Sequence, residues 1–131
     1  MARLDDFIRK RNHNFRRYVA LCRRYPDHLI ALDGAEVSSF AFAFVFHDRA
    51  MKAAFQKTLG EAGIESRPVI GGNLMRQPFL RKHYRPAEFP NADLLHENAF
   101  YIGNHQFVTD ERMDQLDELM RKFFARQAIR K

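Results

Sequence analysis

The sequence predicts an α/β (α+β) domain in which a small sheet of three to four strands packs against helices. Long segments with the hydrophobic spacing of amphipathic helices lie near the two ends of the chain, and short β-rich segments lie between them. Hydrophobic residues make up 46% and charged residues 29% of the chain, which is the balance of a globular domain rather than of a disordered segment. The chain has 131 residues, the length of one domain, so residues 1–131 are assigned to a single domain.

The first segment, residues 3–24, is predicted to be a long amphipathic helix that ends before Pro26. Residues 1–24 carry eight basic and two acidic side chains, which accounts for the whole net charge of +6. A basic helix can bind nucleic acid, an acidic membrane surface or an acidic face of another domain, but a solvated helix face is the simpler interpretation. The apolar residues recur at helical spacing on one stripe: Leu4, Phe7, Ile8, Phe15, Tyr18, Val19 and Cys22.

Residues 39–46 form the clearest predicted strand, because phenylalanines alternate there with small residues. One face of this strand is therefore aromatic and the other is small, and the small face indicates close packing against a helix or another domain. A shorter strand is predicted before it at residues 28–32, and a turn follows at residues 33–34.

The next helix is predicted to start after Asp48, whose carboxylate can accept from the first free N–H groups, and to stop at Gly63. A strand at residues 66–70 then completes a β-α-β unit. A glycine-rich loop follows the C-terminal end of that strand, where α/β proteins commonly bind ligands. The helix has a predicted buried stripe: Met51, Ala54, Phe55 and Leu59.

The last third of the chain contains one more strand and the final helix. Residues 79–91 are predicted to be irregular because prolines interrupt them, and a short helix from Asn91 or Asp93 follows. A strand is predicted at residues 100–103, and Thr109 is predicted to cap the final helix. That helix has an apolar stripe: Met113, Leu116, Met120 and Phe123.

The loop after the strand at residues 66–70 combines residue types that packing alone does not require. Gly71 and Gly72 permit a positive φ or a close approach of the backbone to another group. Planar guanidinium and amide groups of this kind bind carboxylates, phosphates or sugar hydroxyls. The simpler alternatives are a tight turn for the glycines and a structural ion pair between Arg67 and a neighbouring helix. Four residues supply these groups: Arg67, Asn73, Arg76 and Gln77.

Other kinds of site are not supported by the residue pattern. The six histidines form no HxH or HxxxH pair and have no carboxylate cluster at ligand spacing, so no metal site is expected. His105 stands apart because it follows a predicted strand end between two amide side chains. Cys22 lies on an apolar stripe, where a cysteine is usually a small buried hydrophobe. No lysine lies in an apolar context that suits Schiff-base chemistry, so no catalytic residue is assigned.

The sequence also carries information about location. No apolar run reaches the length that spans a bilayer, and the charged N-terminus lacks the pattern of a signal peptide. The single cysteine excludes an internal disulfide. We therefore expect a cytoplasmic protein without a membrane partner.

Four motifs in order along the chain carry a resemblance to a known family. They are GIESRP at residues 63–68, GNLMRQP at 72–78, PNAD at 90–93 and FYIGNH at 100–105. This series resembles the C-terminal part of the DegT/StrS family of pyridoxal-phosphate-dependent nucleotide-sugar aminotransferases and dehydrases. The GNxxRQP pattern is most similar to the branch of sugar 3-dehydrases in lipopolysaccharide O-antigen and deoxysugar synthesis.

The resemblance implies the small C-terminal domain of an aspartate-aminotransferase-type enzyme, with a mixed or antiparallel sheet. In the family a preceding large domain holds the cofactor and the Schiff-base lysine, which is a histidine in the 3-dehydrases. Pyridoxal phosphate or pyridoxamine phosphate is therefore implied for the full-length enzyme, and no cofactor-binding or metal-binding residue is assigned in this chain. The implied partners are the N-terminal large domain, a nucleotide-sugar and a second subunit of a homodimer.

By the same resemblance the domain closes the active site over the nucleotide-sugar and is inactive alone. The implied substrate-binding residues are Arg67, Asn73 and Arg76, followed by Gln77 and His105. One alternative is a standalone nucleotide-sugar binding module. Another is a nucleic-acid binder, which is not favoured because the aromatic residues of the basic helix lie on its apolar stripe.

The resemblance also suggests a role for two surfaces. The small face of the strand at residues 39–46 and the basic first helix are both candidates for contact with the large domain. In a chain without that domain they would be exposed, which predicts an apolar patch or self-association.

Overall fold

The protein is described by a computed structural model that covers residues 3–30, 32, 37–85 and 87–128. The predicted turn at residues 33–34 lies outside this described part. The elements follow in chain order: α1 (Leu4–Cys22), β1 (Ala41–Val45), α2 (Arg49–Glu61), β2 (Ser66–Pro68), a 3₁₀ turn (Leu74–Arg76), α3 (Pro78–Arg81), α4 (Pro90–Asn98), β3 (Ala99–Gly103) and α5 (Asp110–Ala128).

β3 is the central strand of the sheet, and it runs antiparallel to β1 on one side and to β2 on the other. Phe42 faces Ile102 in the first pair, and Arg67 faces Tyr101 in the second. β1 and β2 therefore run in the same direction but are not neighbours. β3 lies between these two strands of the predicted β-α-β unit. The predicted α/β (α+β) class, with a small mixed or antiparallel sheet packed against helices, is confirmed, and both strand pairs of the described sheet are antiparallel.

Of the strand predicted at residues 28–32, the structure shows one bridge. Leu29 pairs with Phe46, and the Ile30 N–H donates to the Val45 carbonyl at an N···O distance of 2.9 Å. This bridge continues the outer edge of β1 and places Leu29 in the core, where 2% of its surface is exposed.

The core lies between the sheet and the helices α1, α2 and α5. The β1 and β3 strands supply an aromatic layer in which the Phe44 and Phe100 rings stack with centroids 5.3 Å apart. Phe55 of α2 and Phe124 of α5 close this layer from the helix side, with centroids 5.9 Å apart. Full burial of a phenylalanine side chain contributes about 1.5–3 kcal/mol, so this layer is a main source of stability.

The aromatic face predicted for residues 39–46 is correct for the three later phenylalanines but not for Phe40. The strand begins at Ala41, and Phe40 precedes it with 65% of its surface exposed. Its ring lies edge-on to Tyr101, with centroids 6.1 Å apart and planes at 79°. The late start follows from the backbone, because Ser38 has a positive φ of 43° and turns the chain just before the strand.

α1 matches the predicted amphipathic helix except in its first turns. The contacts of α1 with the core begin at Phe15 and continue to Cys22. Leu4, which belongs to the predicted stripe, is 52% exposed, because the cluster of core residues does not extend to it.

Basic side chains of α1 pair with the acidic face of α5. Arg17 donates from Nη1 to Asp110 Oδ1 at 2.7 Å and from Nη2 to Asp114 Oδ1 at 2.5 Å. Arg24 pairs with Asp117 further along the same two helices. The helix face that could have met nucleic acid or another domain is therefore partly used within the chain.

The helix caps follow the sequence rules. Asp48 Oδ1 accepts from the Met51 N–H at 2.6 Å, and Gly63 has a φ of 75° after the end of α2. Thr109 Oγ1 accepts from the Arg112 N–H at 3.4 Å. The predicted stripe of α5 is buried: Met113, Leu116, Met120 and Phe123.

Several element boundaries differ from the prediction. β2 ends at Pro68 rather than at residue 70, because the Val69 carbonyl accepts from the Gly72 N–H at 3.1 Å and turns the chain. α3 occupies the first residues of the segment that was expected to be irregular. α4 starts at Pro90, where a proline suits the first helical position because its missing N–H is not needed. On α2, Ala54 is exposed although it belongs to the predicted stripe.

Candidate functional site

The five residues predicted to bind substrate lie in two places. Arg67 and His105 line a groove between one end of the sheet and the first half of α5. Asn73, Arg76 and Gln77 lie in the loop at residues 71–77, where each side chain contacts other residues of the chain.

The groove has a volume of about 670 Å³ and an apolar floor. Pockets of this size that combine apolar walls with a few polar groups are typical small-molecule sites. Two exposed rings lie on its border, Phe40 and Phe107, with 65% and 72% of their surfaces exposed. The floor is formed by Phe42, Ile64, Ile102, Met113 and Leu116.

The Arg67 side chain projects from the edge strand β2 toward the groove. Its Nε donates to Glu65 Oε1 at 3.0 Å, and both side chains are largely exposed at 65% and 74%. The predicted alternative was an ion pair with a neighbouring helix, whereas the observed partner, Glu65, directly precedes the same strand. An exposed pair of this kind contributes little, so it leaves the guanidinium able to bind a ligand.

His105 and Arg112 complete the polar border of the groove. The His105 Nδ1 accepts from the Phe107 N–H at 3.1 Å, which turns the ring toward Phe107 with centroids 5.9 Å apart. Arg112 donates from Nη1 to Gln115 Oε1 at 3.1 Å. Arg112 was not predicted as a site residue, and only its position in the first turn of α5, near His105, could have indicated it.

Asn73 is buried, with 4% of its surface exposed, and its amide is used within the chain. Its Nδ2 donates to Asp93 Oδ1 at 2.7 Å. Its Oδ1 accepts from the Met75 N–H at 3.0 Å and so caps the 3₁₀ turn. The side chain therefore orders the loop.

Arg76 binds two carboxylates of α4. Its Nε lies 2.6 Å from Asp93 Oδ1, and its Nη1 donates to Glu97 Oε1 at 2.6 Å. The hydrogen bond to Glu97, followed by the charge of Asp93, holds the pKa of Arg76 above its usual value. Gln77 donates from Nε2 to the Gly71 carbonyl at 3.0 Å and closes the loop on itself.

The sequence reasoning missed three residues of α4 that hold this loop: Asp93, His96 and Glu97. Their spacing of three and four residues places them on one helix face. His96 Nδ1 accepts from the Asn73 N–H at 3.2 Å. The PNAD motif drew attention to Asp93, but only the helical spacing of the three polar residues could have indicated a common face.

Helix α4 is in turn joined to α2. Lys52 of α2 donates from Nζ to the Glu97 carbonyl at 2.6 Å. Burial lowers the pKa of this lysine. The loop, α4 and α2 are thus connected by polar contacts.

The model of the DegT/DnrJ/EryC1/StrS aminotransferase family matches residues 1–121. The chain belongs to this family. The motifs that led to the expected family all lie inside the matched range, so that assignment is confirmed.

Two curated relatives and one solved structure illustrate the membership. A GDP-4-keto-6-deoxy-D-mannose 3-dehydratase of Yersinia pseudotuberculosis is 28% identical over 127 residues, which cover 93% of this chain and 32% of that protein. A lipopolysaccharide biosynthesis protein of Salmonella typhimurium is 26% identical, covering 95% of this chain and 30% of that protein. The Escherichia coli GDP-4-keto-6-deoxy-D-mannose-3-dehydratase with bound hydrated pyridoxal phosphate superposes with a TM-score of 0.75 at 28% identity, over 91% of this chain and 32% of that one.

The chain therefore spans about a third of the length of these relatives, and the matched region is their C-terminal third. Pyridoxal-phosphate enzymes hold the cofactor through a lysine and a charged partner of the pyridine nitrogen. In the described part of the chain the groove is lined by no lysine, and Lys52 is bound to a backbone carbonyl elsewhere. The lining of the groove therefore does not supply a Schiff-base lysine for the cofactor.

Two further properties concern the described residues alone. They contain no group of three or more histidine, cysteine or acidic side chains that could hold a metal ion. No described helix is long and apolar enough to cross a membrane.

Proposed function

We propose that this chain is the C-terminal domain of a pyridoxal-phosphate-dependent enzyme that acts on a nucleotide-linked 4-keto-6-deoxysugar, as a 3-dehydrase or an aminotransferase. Residues 1–131 form one domain of that enzyme and are inactive alone. The observation that carries the proposal is the match to 3-dehydratases over nearly the whole of this chain but only a third of theirs.

The geometry supports a role at the edge of a shared active site. Arg67, His105 and Arg112 present basic side chains around an apolar groove, and guanidinium groups suit a diphosphate. Hydrogen bonds and an ion pair fix the loop at residues 71–77 on α4. The surface of the loop that faces away from α4 is therefore the part that can contact a ligand. We still propose Asn73, Arg76 and Gln77 as substrate-side residues. Their proposed role is to set the conformation of this loop.

The partners follow from the same proposal. The N-terminal large domain supplies the cofactor and covers the exposed apolar residues of this domain, a nucleotide-sugar is the substrate, and the full-length enzyme is a homodimer. The exposed apolar residues include Phe40, Ile70, Leu74 and Phe107, which are more than half exposed. We also propose a cytoplasmic location, because Cys22 is buried as a free thiol and is the single cysteine.

One experiment tests whether the chain lacks the cofactor site. Pyridoxal phosphate is added to the purified chain, and the absorbance band of any cofactor that stays bound, with or without a lysine imine, is recorded after removal of excess cofactor. We expect no such band. A stoichiometric band would overturn the assignment of the cofactor site to another domain.

A second experiment tests the parentage. A chimera carries this chain in place of the matched C-terminal third of the Yersinia relative and is assayed with GDP-4-keto-6-deoxy-D-mannose. We expect 3-dehydratase activity that is absent from the same relative without its C-terminal third. A folded, cofactor-loaded chimera without activity on this or a related nucleotide-sugar would contradict the proposal.

The alternative, a standalone nucleotide-sugar binding module, is favoured by the groove itself, because it is open in the isolated chain and has a basic border. Titration calorimetry with GDP-linked and dTDP-linked sugars distinguishes the two proposals. Saturable binding by the isolated chain that is lost in Arg67→Gln would favour the module. A lack of binding would favour the domain of a larger enzyme.

A further inference from the structure

We infer that His96 is a positioning residue that holds the loop at residues 71–77 on α4 by accepting a backbone hydrogen bond as a neutral imidazole. Only the description of this loop as part of a substrate site rests on the proposed function. The contact between the imidazole and the loop does not depend on it.

The first argument is the space between the ring and the loop. Gly72 has a φ of 53°, and a Cβ built on it would lie 2.1 Å from His96 Nδ1 and 3.0 Å from the ring Cγ. Real side chains do not approach so closely, so the imidazole occupies the place of the missing side chain. The glycine thus allows the loop backbone to lie directly against α4.

The second argument is the direction of the hydrogen bond. The Asn73 backbone N–H can only donate, and it points to His96 Nδ1 at 3.2 Å. Nδ1 must therefore carry a lone pair, which assigns the proton of the neutral ring to Nε2. A ring protonated on Nδ1 cannot make this contact.

The third argument is the charge around the ring. The two carboxylates on the same helix, Asp93 and Glu97, are both engaged by Arg76 from the loop. Lys52 approaches from α2 and binds the Glu97 carbonyl. The acidic groups of α4 are thus bound to a guanidinium, which leaves His96 to act as an acceptor rather than as the cation of an ion pair.

The loop is attached to α4 by contacts of three kinds: the ion pairs of Arg76, the hydrogen bond from Asn73 Nδ2 to Asp93 Oδ1, and the hydrogen bond from the Asn73 N–H to His96. Arg76 provides ion pairs that are accessible to solvent and salt, whereas the imidazole of His96, itself an exposed residue, binds the backbone N–H of Asn73, which is 4% exposed. The contact with His96 therefore acts directly on the loop backbone, and the side-chain contacts of Asn73 and Arg76 add to it.

The test uses the full 131-residue chain and three variants. His96→Phe keeps a flat ring without an acceptor, whereas His96→Asn keeps an acceptor oxygen near the position of Nδ1. His83→Phe is the control, because His83 is exposed outside this cluster. The measurements are the ¹⁵N spectrum of the histidine rings at neutral pH and the hydrogen-exchange protection of the Asn73 amide.

We expect an unprotonated Nδ1 and a protonated Nε2 on His96. The protection of the Asn73 amide should fall about tenfold in His96→Phe, as for the loss of one hydrogen bond, and should be largely restored in His96→Asn. A His96 ring protonated on Nδ1 would overturn the inference. So would equal protection of Asn73 in the wild type and in His96→Phe.

The same variants separate this inference from the proposed function. In the chimera with the Yersinia relative, His96→Phe is expected to raise KM with a smaller change in kcat, and His96→Asn to restore KM. An inactive chimera with the expected spectra contradicts only the proposed function. An active chimera with Asn73 equally protected in His96→Phe contradicts only the inference.

Discussion

The imidazole of His96 stands where a side chain on residue 72 would be, since a Cβ on Gly72 would lie 2.1 Å from its Nδ1. This contact joins the glycine-arginine loop to α4. Residue 72 is therefore a glycine for two reasons. Its φ is +53°, and the imidazole lies too close to its backbone to leave room for a side chain.

Gly72→Ala is expected to destabilise the domain by about 1–3 kcal/mol, the usual cost of a left-handed conformation in a non-glycine residue. The clash with His96 adds to this cost because the ring must move away from the loop. Urea denaturation measures the change in the free energy of unfolding.

The matched control is Gly60→Ala. Gly60 lies in α2 and has no atom within 4 Å of the place of a Cβ. Alanine is the better helix former, so this variant should gain about 0.5–1 kcal/mol. If Gly72→Ala and Gly60→Ala changed the free energy of unfolding in the same direction, the requirement for a glycine at position 72 would be contradicted.

Asn104 is a second buried polar residue on which the domain depends. It has 0% of its surface exposed, and its Nδ2 donates to the carbonyls of Arg11 at 3.1 Å and Ser39 at 2.8 Å. Asn104→Ala leaves both carbonyls without this donor, so we expect a loss of about 2–4 kcal/mol in the free energy of unfolding. Thermal and urea denaturation check this value.

A control separates the donor groups of Asn104 from its volume. Asn104→Asp has the same shape but places a carboxylate against two carbonyl oxygens, so it should be at least as destabilising as Asn104→Ala at neutral pH. Asn91→Ala, at an exposed position of α4, should change stability by less than about 0.5 kcal/mol. A well-tolerated Asn104→Asp would show that the donor groups are not needed.

Cys22 is expected to make stability fall at alkaline pH. Burial raises the pKa of its thiol to about 12 from an ordinary value of 9.0. The unfolded chain therefore loses the thiol proton first, so the contribution of Cys22 is complete below pH 9.0 and is lost as the pH rises toward 12. The expected slope is about 1.4 kcal/mol per pH unit in this window.

Denaturation of the wild type and of Cys22→Ala at several alkaline pH values tests this dependence. Burial also raises the pKa of Tyr18, and the charge of Cys22 and its hydrogen bond raise it further, so the difference between the two proteins reports the thiol together with its effect on this phenol. A thiol reagent should modify Cys22 only after denaturation. Rapid reaction of the folded protein would contradict the buried, protonated thiol.

Local chemistry was sufficient to predict most of the fold. Asp48 and Gly63 mark the ends of α2 because capping and positive φ depend on a few neighbouring residues. The stripe of α5 was predictable because helical spacing alone places its members on one face. The predicted length of β2 was too great. The hydrogen bond from the Gly72 N–H to the Val69 carbonyl turns the chain, and the β propensity of the segment does not predict it.

The candidate site was less accessible to sequence reasoning. Arg76 has the residue type of a substrate ligand, but its partner Glu97 lies 21 residues away, and only the folded chain brings the two together. Arg67 and Arg76 are close in sequence yet reach different surfaces, because the chain turns between them at Gly71 and Gly72. The spacing of residues in the sequence therefore indicated which polar groups could bind a ligand, but not which residues they contact in the fold.

Asp110 is expected to make the domain sensitive to acid. The hydrogen bonds from His13 and then from Arg17 hold the pKa of Asp110 below its ordinary value of 3.8. The contribution of Asp110 is therefore complete above pH 3.8 and is lost as the pH falls through the lowered value. Asp110→Asn should flatten the decrease in stability below this pH, and high salt should weaken the effect in the wild type.

The control for acid sensitivity is Asp27→Asn, at an exposed position outside the contact between α1 and α5. Denaturation between neutral pH and strongly acidic pH is compared for the three proteins. An acid profile that Asp110→Asn leaves unchanged would show that the pairing of α1 with α5 does not contribute to the pH dependence.

The exposed rings Phe40 and Phe107 should make the isolated chain self-associate. They border the same groove with 65% and 72% of their surfaces exposed, and in the proposed enzyme the large domain covers them. Sedimentation velocity over a range of concentrations should show association that falls in the double variant Phe40→Ser, Phe107→Ser.

Tyr84→Ser is the matched control, because Tyr84 is 62% exposed but does not line the groove. A wild-type chain that stays monomeric at every concentration, or an equal effect of Tyr84→Ser, would show that these rings are not a contact surface.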